Sequence, residues 1–355
     1  MSALFTPLPL RGVTLPNRIG LAPMCQYRAD ADGRPNDWHR VHLGARAVGG
    51  AGLVLTEATA VVPEGRISPQ DTGIWSGVQV DAWRPITEFL TRQGSVPAVQ
   101  LAHAGFKAST YRPWAAQRGG VPDADGGWTP VGPGAEPFVP GYRTPTALDT
   151  AGIEAVVEAF GVAAARAVDA GFAAVEVHAA HGYLLHEFLS PLTNHRTDGY
   201  GGDRASRMRL TVEVARAVRA AVGEDVAVLA RISATDWVDG GWTVDDSVVL
   251  AGELAAAGVD LVDCSSGGAA ADARIPVGPG YQVPLAARVR RDAVVPTGAV
   301  GLIVEPEQAE RIVAEGEADL VLLGRELLRD PYWPRRAAAK LGADPEWPAP
   351  YARAF

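Results

Sequence analysis

Short apolar runs alternate with helix-like segments along this sequence, and this alternation limits the possible folds more than any other feature. The runs are continuously apolar, which is typical of strands buried on both faces in a parallel sheet. Each run is followed by a segment whose apolar residues have helical spacing or that carries a helix-end signal. The eight predicted strands are Ile19–Met24, Gly52–Ala60, Val96–Ala102, Ala173–Val177, Val226–Ile232, Leu261–Ser265, Val294–Gly298 and Asp319–Leu323.

Eight strands that alternate with helices favour a closed (β/α)8 TIM barrel, with an open doubly wound α/β sheet as the alternative. Such a barrel takes about 250 residues, and more with insertions. We therefore interpret residues 1–355 as a single domain. Helix ends carry their own signals: Thr150 is predicted to cap one helix, Thr243 to cap Val244–Ala257, and Gly316 to follow Glu305–Glu315.

Two segments lie outside the alternation. The first eighteen residues are punctuated by Pro7, Pro9, Gly12 and Pro16, which predicts an N-terminal hairpin that covers the bottom of the barrel. Residues 110–145 are rich in Gly, Pro and Trp and lack periodicity. A loop this long in a compact domain is usually functional or disordered. Because it follows the third strand, we expect it to form a lid or rim over the top face.

Charge and cysteine content exclude several classes of protein. The 32 Lys and Arg residues against 41 Asp and Glu residues leave a net charge of −9, which argues against nucleic acid and anionic membranes as partners. No run approaches the roughly 20 apolar residues of a membrane span. Cys25 and Cys264 are too few for a disulfide framework, and no signal segment is evident. We expect a cytoplasmic protein with two free thiols, and Cys264 in the core.

The fourth predicted strand ends in His178, His181 and Tyr183. Active groups of a (β/α)8 barrel lie at the C-terminal ends of its strands. Two imidazoles three residues apart can bind a metal, donate hydrogen bonds to one ligand oxygen, or satisfy backbone groups as structural residues. A catalytic zinc needs a third ligand, and no matching spacing supplies one, so we predict no metal. The spacing alone leaves a ligand-binding role and a structural role open.

The last two strands end in glycines and an arginine. Gly298, Gly301 and Gly324 allow close approach of backbone N–H groups to a ligand, and Arg325 can pair with a phosphate. Barrels often bind phosphate between the loops after strands seven and eight. The glycines can alternatively serve tight turns alone, but an arginine at the same place favours phosphate binding.

Gln100 and Arg231 lie on the third and fifth strands, so both can project toward the barrel axis. A buried arginine needs an anionic or carbonyl-rich partner. The pyrimidine edge of a flavin is one such partner, and a positive charge there favours the reduced form. An acidic side chain that pairs with Arg231 is the alternative.

Cys25 ends the first strand. A free cysteine is most often a small buried apolar residue. At the mouth of a redox site it can instead tune a flavin, and with His178 or His181 as a base it can act as a nucleophile.

The chain resembles the old yellow enzyme family from end to end, and within it the thermophilic-like branch that includes bacterial xenobiotic reductases. The central motif is long and highly specific, and the others occur in the family's order. The motifs are LFTPLPLRGVTLPNRIGLAPMCQY, EATAVVPEGRIS, QLAHAG, VEVHAAHGYLLHEFLSPLTNHRTDGYGG, DLVDCSSGG, TGAVGLI and LLGRELLRDPYW.

The resemblance implies an FMN-dependent NADPH dehydrogenase that reduces the C=C bond of activated alkenes, such as α,β-unsaturated carbonyl compounds, by a ping-pong mechanism. It implies tight, non-covalent FMN, with NADPH or NADH as a transient hydride donor. A nicotinamide that shares the flavin-facing pocket needs no separate Gly-x-Gly-x-x-Gly site, and the sequence has none after a strand. The implied FMN contacts are Ala22, Pro23, Met24, Cys25 and Ala58 at the ring, Gln100 and Arg231 at the pyrimidine edge, and Gly298, Gly324 and Arg325 at the phosphate.

The family's catalytic roles also fall on residues of this chain. His178 and His181 are implied to donate hydrogen bonds to the carbonyl or nitro group of the substrate, Tyr183 to supply the proton, and Cys25 to tune the flavin. Tyr27 is implied to line the substrate pocket. One departure is Phe106, where relatives often carry an arginine that can grip the nicotinamide phosphate; Lys107 is a partial replacement.

The resemblance further implies an assembly. In this branch a C-terminal arginine enters the active site of the neighbouring subunit, and Arg353 has the matching position. We therefore expect a homodimer or homotetramer with shared active sites, and an activated alkene as the small-molecule partner. A frayed tail is the alternative, because chain termini are often disordered.

Overall fold

The computed structural model describes residues 2–354, and its centre is a closed barrel of eight parallel strands. Neighbouring strands follow the chain order, and the last strand pairs with the first. This confirms the (β/α)8 barrel and excludes the open sheet. The barrel strands are β3 (Ile19–Leu21), β4 (Leu53–Ala60), β5 (Val96–Ala102), β8 (Ala174–Ala179), β9 (Ala227–Ser233), β10 (Leu261–Ser265), β11 (Thr297–Ala299) and β12 (Leu320–Leu323).

The boundaries of two strands differ most from the prediction. The first stops at Leu21, so Ala22 to Met24 leave the sheet at the top of the barrel. The seventh begins at Thr297 rather than Val294, because Val294 adopts a left-handed conformation (φ 54°) that ends the preceding helix. An apolar run cannot distinguish such a helix end from the first residues of a strand.

Helices pack around the outside of the barrel, and five of them begin at a side-chain cap. Thr243 begins one helix with a reciprocal capping box to Asp246, as its sequence predicts. The prediction for Thr150 is wrong, because Asp149 is the cap and accepts a hydrogen bond from the Gly152 N–H. The helices are α1 (Asp37–Val48), α2 (Gly77–Arg92), α3 (Thr150–Asp169), α4 (Leu184–Leu189), α5 (Arg204–Val222), α6 (Val244–Ala256), α7 (Val283–Ala293), α8 (Pro306–Ala314), α9 (Arg325–Arg329) and α10 (Trp333–Lys340).

Within residues 2–354, no helix is both long enough and apolar enough to cross a membrane. Cys264 is fully buried in β10, as predicted.

An antiparallel hairpin of β1 (Leu8–Leu10) and β2 (Val13–Leu15) covers the bottom of the barrel, as predicted. Its leucines join the inward-facing side chains of the lower barrel in one apolar cluster, which includes Leu53, Leu229 and Leu261. This plug closes the lower end, so only the upper end is open to ligands.

Residues 110–145 lie over the upper end, as predicted for a lid. Their regular structure is a 3-10 turn and β6 (Val131–Gly132), which pairs in parallel with β7 (Thr146–Ala147) directly after this segment. Aromatic contacts attach this lid to the barrel: Phe138 packs on Phe106 at 5.2 Å between ring centroids, and Trp114 meets the Tyr27 ring edge-on at 5.5 Å. The lid therefore borders the face where the strand ends converge.

Candidate active site

His178, His181 and Tyr183 converge at the top of the barrel. His178 projects from the end of β8, and its ring centroid lies 5.3 Å from that of His181 and 5.0 Å from that of Tyr183. His178 Nδ1 is buried and has no hydrogen-bond partner among the described residues. An unpaired buried nitrogen is costly and favours a ligand. Three groups that can donate hydrogen bonds thus surround one space.

The backbone holds His181 in a left-handed conformation (φ 61°), followed by Gly182 with φ 70°. Such a conformation is strained for a residue with a side chain and is found at functional sites. The His181 N–H donates to Ser233 Oγ at 2.9 Å, which in turn donates to the Gly267 carbonyl. A side chain at position 182 would collide with the Gly268 carbonyl, so glycine is required there.

Lys107 fastens this turn to the neighbouring loop. Its Nζ donates to the His181 carbonyl at 2.8 Å and to the Gly268 carbonyl at 2.6 Å, and it lies 4.0 Å from the centre of the Phe138 ring. Burial lowers the pKa of Lys107 to about 8. Because the Lys107 ammonium already donates to two carbonyl groups of the protein, it is not free to bind a nicotinamide phosphate.

Both imidazoles and the phenol are neutral. Burial lowers the pKa values of His178 and His181 well below the ordinary histidine value, and the positive charge of Arg231 lowers them further. Burial, with the neighbouring Cys25 and Asp71, raises the pKa of Tyr183 well above its usual range. His181 Nε2 lies 2.7 Å from Ser265 Oγ. When that hydroxyl donates to Nε2, the proton of neutral His181 is on Nδ1.

Cys25 and Tyr27 lie beside the same space. They pack with Tyr183 against a small apolar cluster that contains Ala58 and Ala102. Burial raises the pKa of the Cys25 thiol well above its usual range, as do the carboxyls of Asp71 and Glu57. A thiol held in its protonated form is a poor nucleophile, so the raised pKa disfavours covalent catalysis by Cys25.

Glu57 supports the turn that carries these two residues, a role that sequence reasoning missed. Its carboxylate accepts a hydrogen bond from the Gln26 N–H at 2.6 Å and lies 3.0 Å from His39 Nε2 in α1. Tyr27 itself is left-handed, with φ 51°. The signal was a glutamate inside a continuously apolar strand, where a charge is expensive to bury.

Gln100 and Arg231 are both buried inside the barrel, as their strand positions indicate. Gln100 Nε2 donates to Glu176 Oε1 at 2.7 Å, and Arg231 Nε lies 2.9 Å from Asp263 Oδ2. The acidic partner considered for Arg231 is therefore present. The two groups form a close ion pair without a hydrogen bond, and Arg231 has no hydrogen bond to a protein group within residues 2–354.

The groups proposed for the phosphate are divided between two places. Arg325, Gly324 and Gly301 line a cavity of about 180 Å³ at the ends of β11 and β12. Gly298 instead lies within the barrel wall, next to the Leu322 side chain, and does not line that cavity.

The chemistry of this face fits FMN. Small residues line its floor: a side chain at Gly324 would contact Met24 and Ala22, so the absence of one widens the cavity there. Pro23 lies between Ala22 and Met24 in the sequence, just after the end of β3. Polar groups that can face a pyrimidine edge lie at one end, and a backbone cavity with an arginine lies at the other. Among residues 2–354, no group of three or more His, Cys, Asp or Glu side chains is arranged to hold a metal ion.

Arg353 is not part of the site in its own chain. It is exposed in the final 3-10 helix, Ala349–Ala354, and the ring of Tyr351 from this helix lies 6.1 Å from that of Tyr332 on the outside of the barrel.

Known proteins share this fold and nearly the full length of the chain. The family described as NADH:flavin oxidoreductase / NADH oxidase matches residues 3–344. An NADPH dehydrogenase of Geobacillus sp. (strain WCH70) is 47% identical over 340 residues, which is 96% of this chain and 94% of the relative. Morphinone reductase has a TM-score of 0.80 at 30% identity, with 96% of this chain and 90% of that one covered. The old yellow enzyme homologue from Zymomonas mobilis has a TM-score of 0.79 at 28% identity, with 95% and 92% covered. The chain therefore belongs to the NADH:flavin oxidoreductase / NADH oxidase family, that of old yellow enzyme, and is an FMN-dependent oxidoreductase.

Proposed function

We propose that this oxidoreductase is an ene-reductase, which uses NADPH to reduce the C=C bond of alkenes activated by a carbonyl or nitro group. The observation that carries the proposal is the convergence of two neutral imidazoles and a neutral phenol on one space. Hydrogen-bond donors paired with a proton donor suit a substrate that gains negative charge on oxygen and a proton on carbon. The unpaired thiols Cys25 and Cys264 suit a reducing compartment, so we expect it in the cytoplasm.

Each residue then has a defined task. Tightly bound FMN supplies hydride transfer, from NADPH in one half-reaction and to the β-carbon of the alkene in the other. His178 and His181 bind the activating oxygen and stabilise the charge that develops on it. Tyr183 donates its proton to the α-carbon, and Tyr27 and Cys25 exclude water from the same space. Since NADPH and the alkene share one pocket, they bind in turn, which is a ping-pong mechanism.

The direct test is turnover by protein saturated with FMN. We expect NADPH oxidation in the absence of oxygen to depend on added 2-cyclohexenone, with parallel lines in double-reciprocal plots at several enone concentrations. Cyclohexanone, which lacks the C=C bond, is the matched control and should not support oxidation. If bound FMN is reduced by NADPH and then fails to react with any enone or nitroalkene, the ene-reductase assignment is wrong and another electron acceptor must be sought.

We also propose that the enzyme works as a homodimer or homotetramer in which Arg353 enters the active site of a neighbouring subunit. Two observations support this: Arg353 is exposed, and it makes no contact with its own active site. Loss of a hydrogen bond from a charged group costs about 1.5–3 kcal/mol. We therefore expect Arg353→Ala to raise the KM for cyclohexenone roughly tenfold or more, with FMN binding unchanged.

Mixed oligomers test whether Arg353 acts on its neighbour. Subunits with Arg353→Ala keep Tyr183, and subunits with Tyr183→Phe keep Arg353. When the two are refolded together, we expect a low KM to reappear at sites that combine both residues. A monomer by light scattering, or a mixture no better than its parents, would contradict a shared site.

A further inference from the structure

Four buried polar side chains, here named the interior quartet, lie inside the barrel, either level with His178 or two residues below it. They are Gln100 of β5, Glu176 of β8, Arg231 of β9 and Asp263 of β10, and none is more than 6% exposed. Glu176 precedes His178 by two residues on one strand, and Asp263 precedes Ser265, which contacts His181, by two on another. The quartet is therefore part of the support for the active site.

The quartet contains one positive group and two acids, and their burial decides which acid is ionised. Isolated buried charge is expensive, so only one acid can be ionised opposite a single guanidinium without leaving net charge behind. Asp263 lies 2.9 Å from Arg231 Nε, whereas Glu176 contacts the neutral amide of Gln100. Burial raises the pKa of both acids, but the charge of Asp263 raises that of Glu176 further, whereas the charge of Arg231 opposes the rise at Asp263. Asp263 is therefore the ionised acid, and Glu176 is protonated.

The contact with Asp263 places a negative charge directly beside Arg231. Asp263 lies on the Nε side of the guanidinium without accepting a hydrogen bond from it, so the donors of Arg231 remain available to a ligand. In the parallel register Arg231 is level with His178, at the height of the candidate active site. The positive charge of the guanidinium is thus partly neutralised by this carboxylate.

We propose that Asp263 is a positioning residue that lowers the reduction potential of bound FMN by neutralising part of the charge of Arg231. The inference rests on the proposed placement of the FMN pyrimidine edge at Gln100 and Arg231. A positive charge at that edge favours the reduced, more negative form of the flavin. A carboxylate directly behind it opposes this effect, so reduced FMN becomes a stronger hydride donor to an alkene.

The test is a redox titration of FMN-saturated variants against a reference dye. With Asp263→Asn we expect the ratio of reduced to oxidised FMN at a fixed potential to rise roughly tenfold, equivalent to about 30 mV for a two-electron couple. The matched control is Glu176→Gln, which replaces a neutral acid with a neutral amide and should change the ratio less than about twofold. The double variant should show a rise at least as large as Asp263→Asn alone, because Glu176 can no longer ionise in place of Asp263.

Several results would overturn the proposal. An unchanged ratio in Asp263→Asn would do so, as would an equal rise in Glu176→Gln. If Asp263→Asn does not retain FMN, Asp263→Glu keeps the charge: a ratio within about threefold of wild type supports the proposal, and a tenfold rise opposes it. A wrong placement of the FMN pyrimidine edge would give a different experimental result. In that case Arg231→Gln would alter neither FMN affinity, measured by flavin fluorescence, nor the ratio.

Discussion

Replacing Tyr183 with phenylalanine should slow the reduction of cyclohexenone by a factor of about 10² to 10⁴, the usual contribution of a positioned general acid. Reduction of FMN by NADPH should proceed at the wild-type rate. The two half-reactions differ because only the alkene needs a proton on carbon. Stopped-flow absorbance of the bound flavin measures each half-reaction separately.

The structural reason is that Tyr183 is a buried and neutral phenol. Burial, with Cys25 and Asp71, raises its pKa, so its proton is retained as the pH rises toward and beyond the ordinary tyrosine value. The alkene half-reaction should therefore lose no rate between pH 7 and about pH 9 through ionisation of Tyr183. The phenylalanine ring keeps the packing against His178 at 5.0 Å, so the change removes the hydroxyl and little else.

A matched control is Tyr111→Phe, which removes a phenol hydroxyl from the lid. That hydroxyl is exposed and donates to Asp125 Oδ2, away from the imidazoles. Both half-reactions should be unchanged. Equal loss in the two half-reactions of Tyr183→Phe would show that Tyr183 acts in packing or FMN binding, and survival of both would place the proton source elsewhere.

Replacing His178 and His181 together with alanine should reduce the rate of alkene reduction by at least about 10² to 10³, the cost of removing one donor to a developing oxyanion. Affinity for phenol, followed through the absorbance of bound FMN, should fall in parallel. The two losses need not add, since both imidazoles contact one oxygen. NADPH should still reduce the flavin.

Asparagine at both positions is the informative control. Its amide can donate a hydrogen bond, and asparagine tolerates the left-handed conformation of position 181 better than alanine does. Partial recovery of phenol affinity in this variant identifies hydrogen bonding as the lost interaction. Undiminished phenol affinity in the alanine variant would show that the histidines are structural.

The neutral state of the imidazoles adds a pH dependence. Burial and the charge of Arg231 lower both pKa values, so neither ring gains a proton as the pH falls through about 6.5, the ordinary value for histidine. Phenol affinity should therefore stay constant between about pH 5.5 and pH 8. A drop centred near pH 6.5 would show that at least one imidazole titrates normally.

Most of the fold followed from local patterns in the sequence. Continuous apolar runs marked all eight barrel strands, and four prolines and glycines marked the hairpin below them. Errors occurred where two conformations share one signal: Asp149 caps α3 in place of Thr150, and Val294 ends a helix rather than beginning a strand. Such boundaries depend on packing against neighbouring elements, which a single segment does not contain.

The candidate site likewise has a part that local sequence patterns predict and a part that they do not. The sequence alone predicts that His178, His181 and Tyr183 lie together, because all three fall within six consecutive positions at one strand end. The partners of the site residues became known only from the three-dimensional structure: Lys107 on the His181 carbonyl, Glu57 on the Gln26 N–H, and Asp263 beside Arg231. Those contacts join different strands and loops at a register and depth that no local pattern encodes. The pairing of Arg231 with Asp263 is therefore a property of the closed barrel.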